Sequence, residues 1–188
     1  MNNTAYLIAQ ANANEVGESL YGAHGDQKGF ELNARQWYSY PWDHIYRAKN
    51  EADREKIALF MERAVSNGFV GYDTNKNKRD TLFTALTSQN TSQEITVDGM
   101  AELNENCSTD CSALGFCAVY AVTHIPFSHE DSDVNYCPRV RHYEPYMTQP
   151  NVMPFFEKLE GEEYTASSAN LLRGDILVAL GHHIGVWI

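Results

Sequence analysis

The sequence predicts an α+β domain in which one apolar helix packs on a small antiparallel sheet, and three observations lead there. Residues 110–124 are almost continuously apolar, with Leu114, Phe116, Val119 and Val122 too dense for one amphipathic stripe, the pattern of a helix buried on all sides. Residues 176–180 and 183–188 are short apolar runs joined at Gly181-His182, the pattern of adjoining strands. In the first quarter of the chain, polar and apolar residues alternate over 30–38, and a second extended run covers 43–48.

Residues 1–30 are rich in Asn, Gly, Ala and Glu, and Gly22, Gly25 and Gly29 frame a tight polar loop at His24-Gly25-Asp26-Gln27. The alternating run, a turn at Ser39-Tyr40-Pro41 and the run after it predict a hairpin. Asn50 is placed as an N-cap, with Glu51 and Asp53 in the first turn. Ile57, Phe60, Met61, Ala64 and Val65 then recur at helical spacing until Gly68 stops the run. Residues 81–88 predict a shorter helix, and a polar link leads to the central one, which Pro126 ends. Residues 127–168 carry Pro138, Pro145, Pro150 and Pro154 with several tyrosines, and predict long loops around one short helix near Phe155.

At 188 residues the chain suits one well-buried core, so a single domain is expected over residues 1–188. A net charge of -11 without a basic patch argues against sequence-independent nucleic-acid binding, which needs clustered Lys and Arg. No run approaches the length of a membrane span, and the first residues lack a cationic start and apolar core. Cytoplasmic synthesis without a signal peptide and no membrane insertion are therefore expected. In that compartment Cys107, Cys111, Cys117 and Cys137 stay reduced, and their spacings of four, six and twenty do not make paired zinc knuckles. Asp73-Thr74-Asn75-Lys76-Asn77 has the start of a calcium loop, but Lys78 stands at its glycine position and Thr84 at its bidentate Glu position. No metal is expected.

Cys111 falls in the first turn of the central helix, where unpaired N–H groups favour thiolate and lower the pKa. A thiol so placed is a candidate nucleophile; the bland alternative is a buried structural cysteine, the reading given to Cys117. Along the last strand Ile184, Val186 and Ile188 share one face with His182, while His183 lies with Gly185 and Trp187 on the other. Gly185 would leave room beside His183 for a helix end or a substrate backbone. His182 reads as a residue of the turn, with a catalytic role as the alternative.

Three segments, Asp110-Cys111-Ser112-Ala113, Arg173-Gly174-Asp175-Ile176-Leu177 and His183-Ile184-Gly185-Val186-Trp187, resemble in order and spacing the nucleophile helix, first core strand and base-bearing strand of the NlpC/P60 and CHAP papain-like cell-wall hydrolases. The resemblance covers roughly residues 107–188. It implies a papain-like fold, Cys111 as nucleophile and His183 as base, with no cofactor. Such domains carry further strands after the histidine strand, one bearing a polar residue that orients the imidazole, and here none follows.

Gly25-Asp26-Gln27-Lys28-Gly29, Arg35-Gln36-Trp37-Tyr38, Pro41-Trp42 and Gly71-Tyr72-Asp73 are similar to the front of phage endolysin domains of this class. The resemblance thus implies a circular permutation in which the N-terminal hairpin completes the sheet. The orienting group is then expected from the first thirty residues. Glu15, in Glu15-Val16-Gly17, fits the family's short Glu-x-Gly element, with His24, Asp26 and Gln27 as rivals. Asp26 and Gln27 are equally explained as turn residues bonding their own backbone, or they contact substrate together with Ser112 and His182. Trp37, Tyr38, Tyr40 and Trp42 line a glycan or peptide groove, or pack the core.

The function so implied is a phage peptidoglycan hydrolase, an endolysin or tail lysin. It would cut an amide bond of the stem peptide or its link to muramic acid, as amidase or endopeptidase, by a Cys-His thiol mechanism. Its partner is bacterial peptidoglycan, with a wall-binding domain in a longer parent chain, and it acts at the cell wall after passing a separate membrane pore. Two alternatives remain: a noncatalytic structural or wall-binding phage tail domain on the same fold, and an acyltransferase using the same machinery.

Overall fold

A computed structural model describes residues 7–12, 31–89, 91–128 and 135–188. In chain order the elements are β1 (Ile8–Ala11), β2 (Leu32–Arg35), β3 (His44–Ala48), α1 (Glu51–Ser66), β4 (Val70–Tyr72), α2 (Thr81–Ser88), α3 (Val97–Glu102) and β5 (Cys107–Thr109). There follow α4 (Cys111–Thr123), α5 (Val140–Met147), a 3-10 turn at Met153–Phe155, β6 (Phe156–Leu159), α6 (Glu162–Thr165), β7 (Ile176–Ala179) and β8 (His183–Trp187). Six strands make one sheet in the order β2-β1-β8-β7-β3-β6, every neighbouring pair antiparallel. β4 and β5 form a separate parallel pair. The architecture is α+β with an antiparallel sheet, the class read from the sequence.

Local chemistry fixes the principal helices. Asn50 Oδ1 accepts the Ala52 N–H at 2.8 Å, and Ile57, Phe60, Met61 and Ala64 are buried along one side of α1. α4 is buried along its whole length except Tyr120, and it packs on α1, β8 and β1, so it is the axis of the core. His124 closes it in the left-handed region, its N–H bonding Tyr120 O, just before Pro126. On β8, Ile184 and Val186 join the core under α4, whereas Trp187 packs with Ile8, Trp42 and Leu177 on the opposite face.

The predicted hairpin does not form. β2 pairs with β1, and β3 pairs with β6 and β7, so the two runs stand apart with β1, β8 and β7 between them. Alternation reports which face of a strand is buried and says nothing of its partner. The aromatic segment 37–42 lies against β8 instead, with Trp37 on Trp187 and Trp42 on His183.

Gly185 serves that packing rather than a helix end or substrate backbone. A Cβ there would meet Ile8 Cγ2 at 2.7 Å and Trp42 at 3.8 Å. Within 135–168 the chain is more ordered than its prolines imply: α5 accommodates Pro145 while burying His142, Tyr143, Tyr146 and Met147. Among the described residues no helix is long and apolar enough to cross a membrane.

The Gly174-Asp175 pair has a structural role. Gly174 sits at φ +89°, where a Cβ would come within 2.2 Å of Arg54 O. Asp175, fully buried, takes a bidentate bond from Arg47 on β3 at 2.9 and 2.7 Å and accepts the Leu172 N–H. Together they lock the entry to β7 against β3 and α1.

Candidate active site

Cys111 is the first residue of α4, with Asp110 as N-cap accepting the Ala113 N–H at 2.8 Å. The N–H groups of Cys111 and Ser112, at the helix start, have no partner within the helix itself. Asp110 is held by Arg79, which donates from Nε to Oδ2 at 2.5 Å and from Nη2 to Oδ1 at 3.0 Å. Ser112 Oγ donates to the same carboxylate at 2.8 Å. The Arg79 guanidinium, wholly buried, also donates to Asp80, to the carbonyls of Cys137 and Pro138, and to Ser112 Oγ. Asp80 in turn accepts the N–H groups of Tyr136 and Cys137. One buried cation thus ties the start of α4 to the segment that leads into α5.

His183 opens β8 at 7 % exposure, with the rings of Tyr40 and Trp42 at 5.8 and 6.0 Å. Its Nε2 is 2.8 Å from Gln10 Oε1, on the neighbouring strand β1. The Tyr38 hydroxyl donates to the same Oε1 at 2.8 Å, and Gln10 Nε2 donates to Asn33 Oδ1 at 3.3 Å. These bonds define Oε1 as an acceptor, so His183 Nε2 carries its hydrogen and Nδ1 keeps the free lone pair.

The thiol of Cys111 rests against the backbone of Ile184, the residue after His183, and of Ser112. Tyr40 touches the His183 ring and also feels the Cys111 sulfur, and Asp110 acts on both titrating groups. Cysteine and histidine are therefore brought into one neighbourhood.

Their protonation departs from the lowered thiol pKa that the helix start alone predicts. Burial pushes Cys111 up to about 12, with Asp110 adding to the rise, against the backbone contacts and Arg79. Burial likewise depresses His183 to about 4, against the pull of Asp110. Desolvation outweighs the helix end, and in the unliganded protein the Cys111 thiol and the His183 imidazole are both neutral.

A cleft of about 260 Å³ opens on Cys111, bounded by Tyr72, Asp110, Ser112, Arg139, Arg141 and His182 among others. Ser112 and the exposed His182, both expected at substrate, line it. Trp42, the other groove candidate, does not. It is 5 % exposed and forms a wall behind the imidazole. Glu15, Asp26 and Gln27, like His24, lie outside the described residues.

Sequence reasoning missed Gln10, whose only sign is one amide in a short apolar run, and Arg79, which no periodicity marks. Cys107, Cys117 and Cys137 are buried free thiols, as is Cys111. Asp73 is occupied by the Asn75 N–H at 2.8 Å and by Lys78 at 3.5 Å, and among the described residues no group of three His, Cys, Asp or Glu side chains is set to hold a metal.

A model of the endolysin-like domain family matches residues 8–188. Comparison with curated proteins gave no match, and neither did comparison with solved structures.

Proposed function

Because the chain belongs to the endolysin-like domain family, which points to a phage cell-wall lytic function, we propose that it is a peptidoglycan hydrolase working by a Cys111–His183 thiol mechanism. The observation that supports this most directly is the buried hydrogen bond of His183 to Gln10, made next to the strand residue that touches the Cys111 thiol at the edge of an open cleft. The fold we infer is papain-like, of the NlpC/P60 type and circularly permuted. In its support, an N-terminal strand lies beside the histidine strand and supplies the group that holds the imidazole.

The chemistry follows from a resting pair that is neutral. His183 Nδ1 takes the thiol proton as the sulfur attacks the scissile carbonyl, so general-base catalysis generates the thiolate at the moment of reaction. The oxyanion is met by backbone N–H groups at the start of α4, including that of Cys111 or Ser112. The imidazolium, steadied through Nε2 by Gln10, protonates the leaving amine. His183 then activates water, which hydrolyses the thioester and returns the thiol.

One observation favours the noncatalytic tail-domain alternative: a thiol buried to 8 % exposure with a raised pKa is also what an inert core cysteine shows. Lysis of purified peptidoglycan by the wild type, Cys111→Ala and His183→Ala separates the two. Loss of lysis in both variants, with circular dichroism unchanged, is expected. Undiminished lysis by Cys111→Ala overturns the thiol mechanism, and a wild type that releases no wall fragments favours the scaffold. Mass spectra of the digest identify the bond, since new L-alanine amino termini without reducing sugars mark an amidase and a shortened stem peptide marks an endopeptidase.

A further inference from the structure

The cleft at Cys111 is cationic in a chain whose net charge is -11. Two arginines and an exposed histidine, Arg139, Arg141 and His182, line it, and among the described residues Asp110 is its one lining carboxylate. That carboxylate is already matched by Arg79, Ser112 and the Ala113 N–H. Arg141 donates from Nε to His142 Nε2 at 3.1 Å. The guanidinium of Arg139 makes no hydrogen bond or ion pair with another described residue, although it is half-buried.

The contrast within the same chain is sharp. Arg47 is paired with Asp175, Arg79 with Asp80 and Asp110, and Arg173 with Glu55 and Glu62. A partly desolvated guanidinium without a counterion favours an anion with two coplanar oxygens, because its fork of N–H donors matches a carboxylate. The backbone that carries Arg139 is fixed on both sides, since Arg79 grips the carbonyls of Cys137 and Pro138 immediately before it and α5 begins immediately after it.

Resting on the hydrolase reading above, we propose that Arg139 is the carboxylate-binding residue of the cleft, and that the preferred substrate is a stem peptide with a free carboxylate close to the amide attacked by Cys111. At about 260 Å³ the cleft holds roughly one or two amino-acid residues, so the recognised carboxylate belongs to a residue at or next to the scissile bond. Stem peptides occur with such side carboxylates either free or amidated. Amidation removes the charge while barely changing the shape, which makes it the natural probe.

The test compares synthetic stem peptides identical except for a carboxylate or a carboxamide at each side position, cleaved by the wild type, Arg139→Gln and Arg139→Lys. The wild type is expected to prefer one carboxylate peptide over its amide by roughly tenfold or more in kcat/KM, mainly through KM. In Arg139→Gln that ratio falls to near one, and Arg139→Lys restores part of it. A wild-type ratio near one at every position overturns the proposal, as does an Arg139→Gln variant that slows both members of the pair equally and leaves the ratio intact. A wild type that cleaves no stem peptide at all overturns this inference, and the hydrolase reading falls with it only if purified peptidoglycan is left undigested as well.

Discussion

Gln10 Oε1 lies 2.8 Å from His183 Nε2, a bond between side chains 173 positions apart in the chain. It joins an N-terminal strand to the strand of the candidate base, and the Tyr38 hydroxyl on the same oxygen fixes its direction. The ring is thereby held in the tautomer whose Nδ1 is basic.

Replacing Gln10 tests that assignment. Gln10→Ala is expected to cost on the order of 100-fold in kcat/KM, because the imidazole loses its orientation and its Nε2 hydrogen loses its acceptor. Gln10→Glu keeps an acceptor and adds a negative charge, which favours imidazolium. The acidic limb of the kcat/KM profile, set by a base near 4 in the wild type, should move up by about 1 to 2 units. An unmoved limb would remove Gln10 from the base.

His183 also makes folding pH-dependent. Its pKa is about 4 in the fold against 6.5 for a free imidazole, so between those values the unfolded chain binds a proton that the folded chain excludes. This contribution to stability is fully present above pH 6.5 and is lost as pH falls toward 4. From pH 7.5 to 4.5 the wild type should lose about 2 to 3 kcal/mol more than His183→Asn in urea titrations. Equal losses would contradict a buried neutral imidazole.

Raised thiol pKa values predict slow alkylation. At pH 7 iodoacetamide should label the native protein far more slowly than free cysteine. Peptide mapping should find Cys111 modified first, since it opens on the cleft while Cys107, Cys117 and Cys137 do not line it. Early labelling of Cys117 would mean that α4 opens in solution.

Arg79→Ala strands the buried carboxylates of Asp80 and Asp110, and should cost about 3 to 5 kcal/mol in denaturant unfolding. Adding Asp110→Asn should recover part of that loss, because one uncompensated charge is removed. Additive losses would show that the two residues are not coupled.

Gly174 and Gly181 separate backbone strain from collision. Both have positive φ, at 89° and 73°, but a Cβ at Gly181 meets nothing within 4 Å, whereas one at Gly174 runs into Arg54 O. Gly181→Ala should cost about 1 kcal/mol, and Gly174→Ala clearly more, about 2 kcal/mol or above. Similar midpoints for the two variants in thermal melts would show that the 174 turn yields.

Much of the fold was legible where one pattern sufficed. The spacing of Ile57, Phe60, Met61 and Ala64 gave α1, the dense apolar run gave α4, and the break at Gly181 gave β7 and β8. What failed was partnership. The run before Trp37 was correctly extended, but its pairing with β1 depends on a strand whose Ile-Ala-Gln-Ala sequence carries almost no strand signal. In α5 the helical spacing of Tyr143, Tyr146 and Met147 was present, yet Pro145 concealed it. For the candidate site, local motifs pointed to Cys111 and His183. Gln10 and Arg79 act through contacts that exist only after folding, and a helix end could be read from sequence while the burial that opposes it could not.

The place of β8, between β1 and β7, has a consequence during synthesis. A nascent chain that has already displayed Cys111 on its helix holds neither the imidazole nor the inner strand of the sheet, and a contact order dominated by such distant pairings makes closure slow. A lytic activity built this way would be silent in every nascent molecule that has not yet made β8, and would switch on only as that strand slots between β1 and β7.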